Sequence, residues 1–277
     1  MLYLVATPIG NLMDITLRAL SVLKEVDVIA CEDKRVSSKL LNHYDISKPL
    51  LSYHDHNASQ VRPHILDLLR QGKKIAYITD GGMPLISDPG FKLVLECQQE
   101  KLAYTVIPGA SAPMMALCLS GLSPDRFFFC GFLSSKQEAR KTAFQEIKKI
   151  SATLVFFESP KRVTAFLKGA REVLGERVGA VCREMTKIYE EVQKNSLSSL
   201  INYYESHPPR GEVVILIEGN DLSATVDQEE LDRELNKALE TYSLKEAVDL
   251  VSKAFGLSKR DIYQHALQLK SEKTRLP

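Results

Sequence analysis

The chain has 277 residues, and its 36 Lys and Arg nearly balance 35 Asp and Glu, for a formal net charge of +1. Such a chain has no global field able to coat a polyanion, so any nucleic-acid contact must come from a local basic patch. Its 44% hydrophobic content can fill cores in two domains of ordinary size.

No apolar run approaches the roughly 20 residues of a spanning helix, and the opening MLYLVATPIGNLMD has neither a basic leader nor a cleavage site. The expectation is a cytoplasmic globular protein, with no membrane partner, that begins on its first strand. Cys31, Cys97, Cys118, Cys130 and Cys182 are far apart and mostly inside apolar runs, which fits buried reduced thiols better than disulfides or metal ligands.

In chain order, residues 2–6, 26–31, 74–79 and 104–107 are β-rich runs predicted as strands, with 3.6-residue periodicity between them. From 61 to 70, Val61, Ile65, Leu68 and Leu69 share one helical face, and Gly72 follows as a stop. The alternation predicts a mainly parallel sheet covered on both faces. A second α/β unit is predicted from strands near 127–130, 153–157, 178–182 and 213–218. Its best-marked helix takes Ser159 as N-cap and Pro160 at N1, buries Val163, Phe166, Leu167, Ala170 and Leu174, and stops at Gly175.

The polar stretch 220–230 reads as a linker, and a helical hairpin follows. Ser243 and Glu246 form a capping box, Gly256 ends that helix, and Ser258 caps the next with Asp261 three residues on. Residues 250–277 hold six Lys or Arg against two acids, so the tail is locally basic. In outline it resembles a helix-turn-helix, but a packed helical pair with a solvated face is the commoner explanation, and DNA is not expected as a partner. The expected division is an α/β lobe over 1–122, a second α/β lobe over 123–222 and a helical tail over 223–277.

Chemistry concentrates at strand ends. The first such loop is Thr7 to Leu12. The second, Cys31-Glu32-Asp33-Lys34-Arg35, sets charges directly after a buried strand. In the third, Thr79 to Gly90, the pair Gly81-Gly82 permits positive φ, so main-chain groups can hold a ligand. Asp88 followed by Pro89 reads as an N-cap with proline at N1, whereas Asp80 before two glycines has no such structural excuse. Ser111 reads equally as an N-cap or a ligand contact. None of these loops matches a G-x-G-x-x-G turn or a P-loop, which argues against a nucleotide-cofactor dehydrogenase. His54-Asp55-His56 places two imidazoles on one strand face, but no third ligand lies nearby, so no metal is expected.

The segments LYLVATPIGNLMDITLRAL, EDKR, SYHDHN, TDGGMPLISDPG, PGASA, SGL, GFL, ESPKR, REMTKIYEE, GEVVILIEG and GLSKRDIYQHAL together resemble the ribosomal small subunit methyltransferase I family. These are rRNA (cytidine-2′-O)-methyltransferases of the tetrapyrrole methylase fold, and the resemblance covers nearly the whole chain. The family usually has other residues where Lys34, Gly81, Met83, Ser134 and Lys161 stand here; Gly81 and Met83 still permit a main-chain cradle.

The resemblance implies two α/β lobes of the class III methyltransferase type with a small helical domain. It implies S-adenosylmethionine in the cleft between the lobes, contacted by Gly81, Gly82, Met83, Pro84, Ile86, Asp88, Ser111, Ala112, Phe157, Glu158 and Gly211. It further implies small-subunit rRNA as substrate, within the ribosomal subunit, and a homodimer. For the reaction, Glu32, Asp33, Asp80 and Glu184 are the candidate proton acceptors, while Arg35 and Lys187 suit phosphate contacts. The competing readings are a methylase of a tetrapyrrole-like small molecule and a non-catalytic RNA- or ribosome-binding protein.

Overall fold

The computed structural model describes residues 1–220, 228–255 and 257–273. The chain divides into two compact units, residues 1–148 with 152–218, and residues 149–151 with 219–277. Both sheets lie in the first unit. The expected tail boundary after 222, the stop at Gly256 and Arg275 lie outside the described residues.

The first sheet has the order β3-β2-β4-β1-β5, built from β1 (Leu2–Val5), β2 (Val28–Cys31), β3 (Leu50–Ser52), β4 (Ile75–Ile78) and β5 (Tyr104–Ile107), and every pairing is parallel. Period-two alternation supplies both faces. Leu2, Leu4, Ile75 and Tyr77 pack on one side with Ile65, Leu66 and Leu69 of α3 (Ala58–Arg70) and with Leu93 and Cys97 of α4 (Phe91–Gln99). Val5, Ala76 and Ile78 pack on the other with Ala19 and Leu23 of α1 (Leu17–Glu25) and Leu41 of α2 (Lys34–His43). Parallel strands put their carboxyl ends on one edge, which brings the loops after β1, β2 and β4 together.

The second sheet runs β6-β7-β10-β8-β9, from β6 (Phe127–Phe132), β7 (Thr153–Glu158), β8 (Val178–Arg183), β9 (Glu191–Ser196) and β10 (Val213–Ile217). Only β6 and β7 are parallel; β10 runs antiparallel to β7 and β8, and β9 to β8. The register sets Val213 opposite both Glu158 and Arg183. The ends of β7 and β8 and the start of β10 therefore share one edge. On one face Phe144 of α6 (Gln137–Ile147) and Phe166 of α7 (Val163–Leu174) form an edge-to-face cluster with Phe156. On the other, Ala116 and Leu117 of α5 (Ala112–Ser120) pack against Val155, Ala180, Val214 and Leu216. Thus α5 belongs to the second sheet's core, although it precedes residue 123. The last helix of this unit, α8 (Leu197–Ser206), buries Leu197, Leu200, Ile201 and Tyr204.

Several local expectations need correction. β3 has only three residues, too few to show a period, and β9 is an edge strand with a polar face, so neither stood out in the sequence. Residues 54–56 lie in a turn after β3 rather than on a strand. Among the described residues no group of three or more His, Cys, Asp or Glu converges as for a metal. Ser159 makes no capping bond, because a 3₁₀ turn over Pro160–Arg162 intervenes before α7. Cys118, on the outer face of α5, is exposed, while Cys31, Cys97 and Cys182 are buried.

Among its described residues the second unit holds three helices, α9 (Gln228–Thr241), α10 (Leu244–Phe255) and α11 (Lys259–Lys273), rather than a hairpin, since residues from 228 belong to a helix and not to a linker. Leu231, Leu235, Ala247, Val251, Ile262 and Ala266 form its core. The capping box is present: Ser243 N–H donates to Glu246 Oε2 at 3.1 Å, and Glu246 N–H to Ser243 Oγ at 3.4 Å. Asp261 N–H likewise donates to Ser258 Oγ at 3.1 Å. Among the described residues no helix is long and apolar enough to cross a membrane.

Candidate functional site

The loops from both sheets close around a cavity of about 710 Å³, within the ~300–1,000 Å³ typical of small-molecule sites. From the first sheet, the loop after β4 is pinned to the loop after β1: Thr7 and Gly82 exchange backbone hydrogen bonds of 3.0 and 2.9 Å, and Thr7 Oγ1 donates to the Thr79 carbonyl at 3.1 Å. Gly82 (φ +87°), Leu85 (+75°) and Ser87 (+67°) hold the loop in left-handed turns. Two non-glycine residues in that region are a stored cost that a tight ligand cradle explains.

Asp88 does not cap a helix. Tyr77 Oη donates to the Pro89 carbonyl at 2.8 Å, and Gly90, at φ +120°, is the N-cap of α4, so Asp88 is left facing the cavity. Burial, helped by the charge of Glu32, pushes its carboxyl up to about 6. The folded protein therefore binds this proton more tightly than the unfolded chain does. The resulting stabilisation is full below the ordinary 3.8 and is lost as pH rises through about 6. Asp88→Asn should raise the thermal midpoint of the ligand-free protein near pH 7.5 by the equivalent of about 1–2 kcal/mol, because solvent screens part of the charge on this partly exposed group. Differential scanning fluorimetry between about pH 5 and 8 checks this; a gain that does not grow with pH would show that burial does not raise the Asp88 carboxyl.

The charged loop after β2 lies behind this wall. Asp33 is the N-cap of α2, accepting from Arg35 N–H at 2.8 Å, and its ion pair with the Arg35 guanidinium holds its carboxyl down at about 2. That is a poor proton acceptor. Asp33 N–H in turn donates to Asp80 Oδ1 at 3.1 Å. Burial, with the Asp33 charge, raises Asp80 above the ordinary carboxylate range, and burial with the Asp80 charge does the same for Glu32.

The second sheet supplies the opposite wall. Glu158, 3% exposed, accepts from Ser159 N–H and Arg162 Nε, each 2.6 Å from Oε1, while its Oε2 is buried with no hydrogen-bond partner. A half-used buried carboxylate at a cavity wall calls for a donor from a ligand. A β-bulge between Phe129 and Gly131, with Gly131 at φ +63°, shifts the register so that Phe132, 59% exposed, joins Phe157 on the wall at a centroid distance of 5.3 Å. Ser111 occupies the N-cap position of α5 without making a side-chain cap bond, which leaves its hydroxyl for the cavity it lines.

Between the walls, the loop after β8 reaches the loop after β1. Asn11 N–H donates to Thr186 Oγ1 at 3.0 Å, and a Cβ built on Gly10 would lie 2.9 Å from the Met185 carbonyl oxygen. Lys187 Nζ is held by Glu184 at 2.9 Å and Glu212 at 3.1 Å. Burial works against the Lys187 charge, but these two acids outweigh it, and its pKa is raised; the hydrogen bond from Lys187 lowers that of Glu184.

Of the residues singled out in the sequence, Asp80, Lys187, Gly81, Gly82, Met83, Ile86, Asp88, Ser111, Ala112, Phe157, Glu158 and Gly211 line the cavity. Glu32, Asp33, Arg35, Pro84 and Glu184 stand outside its lining. Phe132, Ser37, Lys39, Met185 and Glu212 line it without having been foreseen. The segment GFL contained Phe132, but only the bulge turns that ring inward.

These loops at one edge of two sheets match the family model for Tetrapyrrole (Corrin/Porphyrin) Methylases over residues 1–201, and that for the RsmI C-terminal HTH domain over 225–270. Solved structures share the fold: diphthine synthase at a TM-score of 0.61 and 14% identity, covering 78% of this chain and 89% of that one, and the uroporphyrin-III-C-methyltransferase of Thermus thermophilus at 0.56 and 19%, covering 78% and 93%. The class is thus a methyltransferase of the tetrapyrrole methylase fold. Curated relatives named Ribosomal RNA small subunit methyltransferase I are 44% identical in Haemophilus influenzae over 96% of each chain, and 42% identical in Halalkalibacterium halodurans over 95% of this chain and 93% of that one. This chain belongs to the ribosomal RNA small subunit methyltransferase I family.

Proposed function

We propose that the chain methylates the 2′-hydroxyl of a cytidine ribose in small-subunit rRNA, drawing the methyl group from S-adenosylmethionine, and that it works in the cytoplasm as a homodimer. The observation that carries the cofactor assignment is the pairing of a main-chain cradle with an orphaned buried acceptor. Gly82 on the first-sheet wall and Gly211 on the second-sheet wall both have positive φ and both line the cavity, and Glu158, whose Oε2 has no partner, lines it on the second-sheet wall as well. The cofactor, when bound, supplies an electrophilic methyl group on a cationic sulfur.

The residues present fit that group. Glu158 Oε2 accepts a hydroxyl or ammonium donor, Ser111 and the 79–88 loop offer polar contacts, and Phe132 and Phe157 provide an aromatic wall for a base. Ionised Asp88 favours a cationic ligand. On the substrate side, Asp80 lines the cavity and has a carboxyl raised above the ordinary carboxylate range, so it is the group we assign as acceptor of the hydroxyl proton. Glu32 and Asp33 position Asp80 from behind. Arg35, whose side chain is 89% exposed, and Lys39 at the cavity are the cations we assign to a phosphate, with Lys187 there held by Glu184 and Glu212. The dimer is supported by apolar side chains left exposed on edge strands and on α5: Val106, Phe127, Phe128, Met114 and Leu119.

The test is incubation with methyl-labelled S-adenosylmethionine and, in parallel, undermethylated small subunits, naked rRNA and a tetrapyrrole precursor. Label on a cytidine 2′-oxygen, located by nuclease digestion and mass spectrometry, is expected. Label on the tetrapyrrole alone, or on no acceptor, would refute the assignment.

A further inference from the structure

The helical unit carries a second concavity, an open groove of about 1150 Å³ along α10, the start of α11 and the turn before α10. Its lining has two features that the packing of three helices does not require. First, Tyr242 (49% exposed), Tyr263 (45%) and Leu250 (49%) present apolar surface to solvent beside the core residues Val248 and Val251. Second, Lys245, Lys253, Lys259 and Arg260 line the groove against only two acids, Glu246 and Asp249.

Both acids are already engaged. Glu246 closes the capping box with Ser243, and Asp249 pairs with Lys253 at 2.8 Å and with Lys259. Lys245 and Arg260 have no such ion pair among the described residues. Two exposed phenol rings interleaved with four cations combine the elements by which proteins hold single-stranded nucleic acid: π-faces for successive bases and positive charge for the backbone.

We infer that this groove binds an unpaired segment of RNA, with Tyr242 and Tyr263 as stacking surfaces and Lys245 and Arg260 on phosphates. The inference rests on the RNA reading of the proposed function and adds to it a second contact site, built from the helices of the other unit. The ligand is single-stranded RNA rather than duplex because stacking needs bases turned out of a helix.

The test uses the full chain and a fluorescein-labelled mixed-sequence single-stranded RNA, with the duplex DNA of the same sequence in a parallel arm, read by anisotropy. Tyr242→Ala with Tyr263→Ala is expected to weaken binding by about 10–100-fold, while the Tyr→Phe pair keeps it, because the ring and not the hydroxyl stacks. Lys245→Gln with Arg260→Gln should flatten the slope of log affinity against log salt by about 1.4, at about 0.7 per phosphate contact on a single strand. Unchanged RNA affinity in both double variants overturns the inference. So does tighter binding of duplex DNA that ignores the tyrosines, the behaviour of a groove-reading helix-turn-helix. The proposed function fails separately, through the methyl-labelling experiment, since the anisotropy measurement needs no turnover.

Discussion

Asp80→Asn is expected to lower kcat on undermethylated small subunits by about 10²–10⁴-fold, the usual worth of a positioned proton acceptor, with little change in the affinity for S-adenosylmethionine. The substitution is nearly isosteric, and asparagine keeps an oxygen to accept the 3.1 Å hydrogen bond from Asp33 N–H. The lost activity therefore reports proton transfer rather than collapse of the loop. Because burial raises the Asp80 carboxyl, wild-type kcat/KM should climb with pH through a value above the ordinary carboxylate pKa, and Asp80→Asn should erase that limb. Asp33→Asn is the comparison: it weakens the N-cap of α2 and the pair with Arg35, so its effect belongs in stability more than in the pH profile. If Asp80→Asn turned over normally and Asp33→Asn did not, the assignment of the two acids would be reversed.

The second large effect is expected at Gly211. Its φ of +82° disfavours any residue with a Cβ, and a Cβ there would fall 2.0 Å from Glu184 Oε1 and 2.2 Å from its carboxyl carbon. Glu184 cannot simply swing away. It accepts from Glu212 N–H at 3.0 Å and from Lys187 Nζ at 2.9 Å, and its own backbone sits at φ +49°. Gly211→Ala must therefore expel the Glu184 carboxylate, release Lys187 and disturb two loops of the cavity wall.

We expect methyl transfer to fall at least 100-fold, and binding of S-adenosylmethionine, measured by calorimetry, to weaken with it. Gly72→Ala separates the steric effect from the backbone one. Gly72 has the same φ, +82°, with nothing within 4 Å of a built Cβ, so that variant should cost about 1 kcal/mol of stability and leave turnover unchanged. Equal activity loss in both variants would show that the clash with Glu184 is not what matters.

Much of the fold could be read from the order of residues. Short β-rich runs such as Ile75–Ile78 and Tyr104–Ile107, separated by amphipathic helices, are local signals, and the first sheet follows from them because crossover connections make strands parallel. The capping boxes at Ser243 and Ser258 are equally local, since their partners lie three residues away. The family resemblance, carried by loop motifs spread over the whole chain, pointed to the methyltransferase class before any geometry was available.

Other features depended on partners far along the chain. Asp88-Pro89 has the local form of a helix cap, but the hydrogen bond from Tyr77 and the close approach of Gly90 to that ring move the helix start to residue 91. Glu32, Asp33 and Asp80 look alike as acids at strand ends. Their differences come from what surrounds them: Arg35 holds Asp33 ionised, while burial and mutual repulsion raise the other two. Phe132 reached the cavity through a bulge, and Glu158 gained its unpaired oxygen through burial. The sequence by itself determined most of the elements, the class and the loops that carry the chemistry, because those depend on neighbours a few residues apart, while the short β3 and the polar edge strand β9 carried no such local signal. Only the tertiary structure decided which carboxyls are cavity groups and which are caps, because desolvation and ion pairing are set by residues tens of positions away.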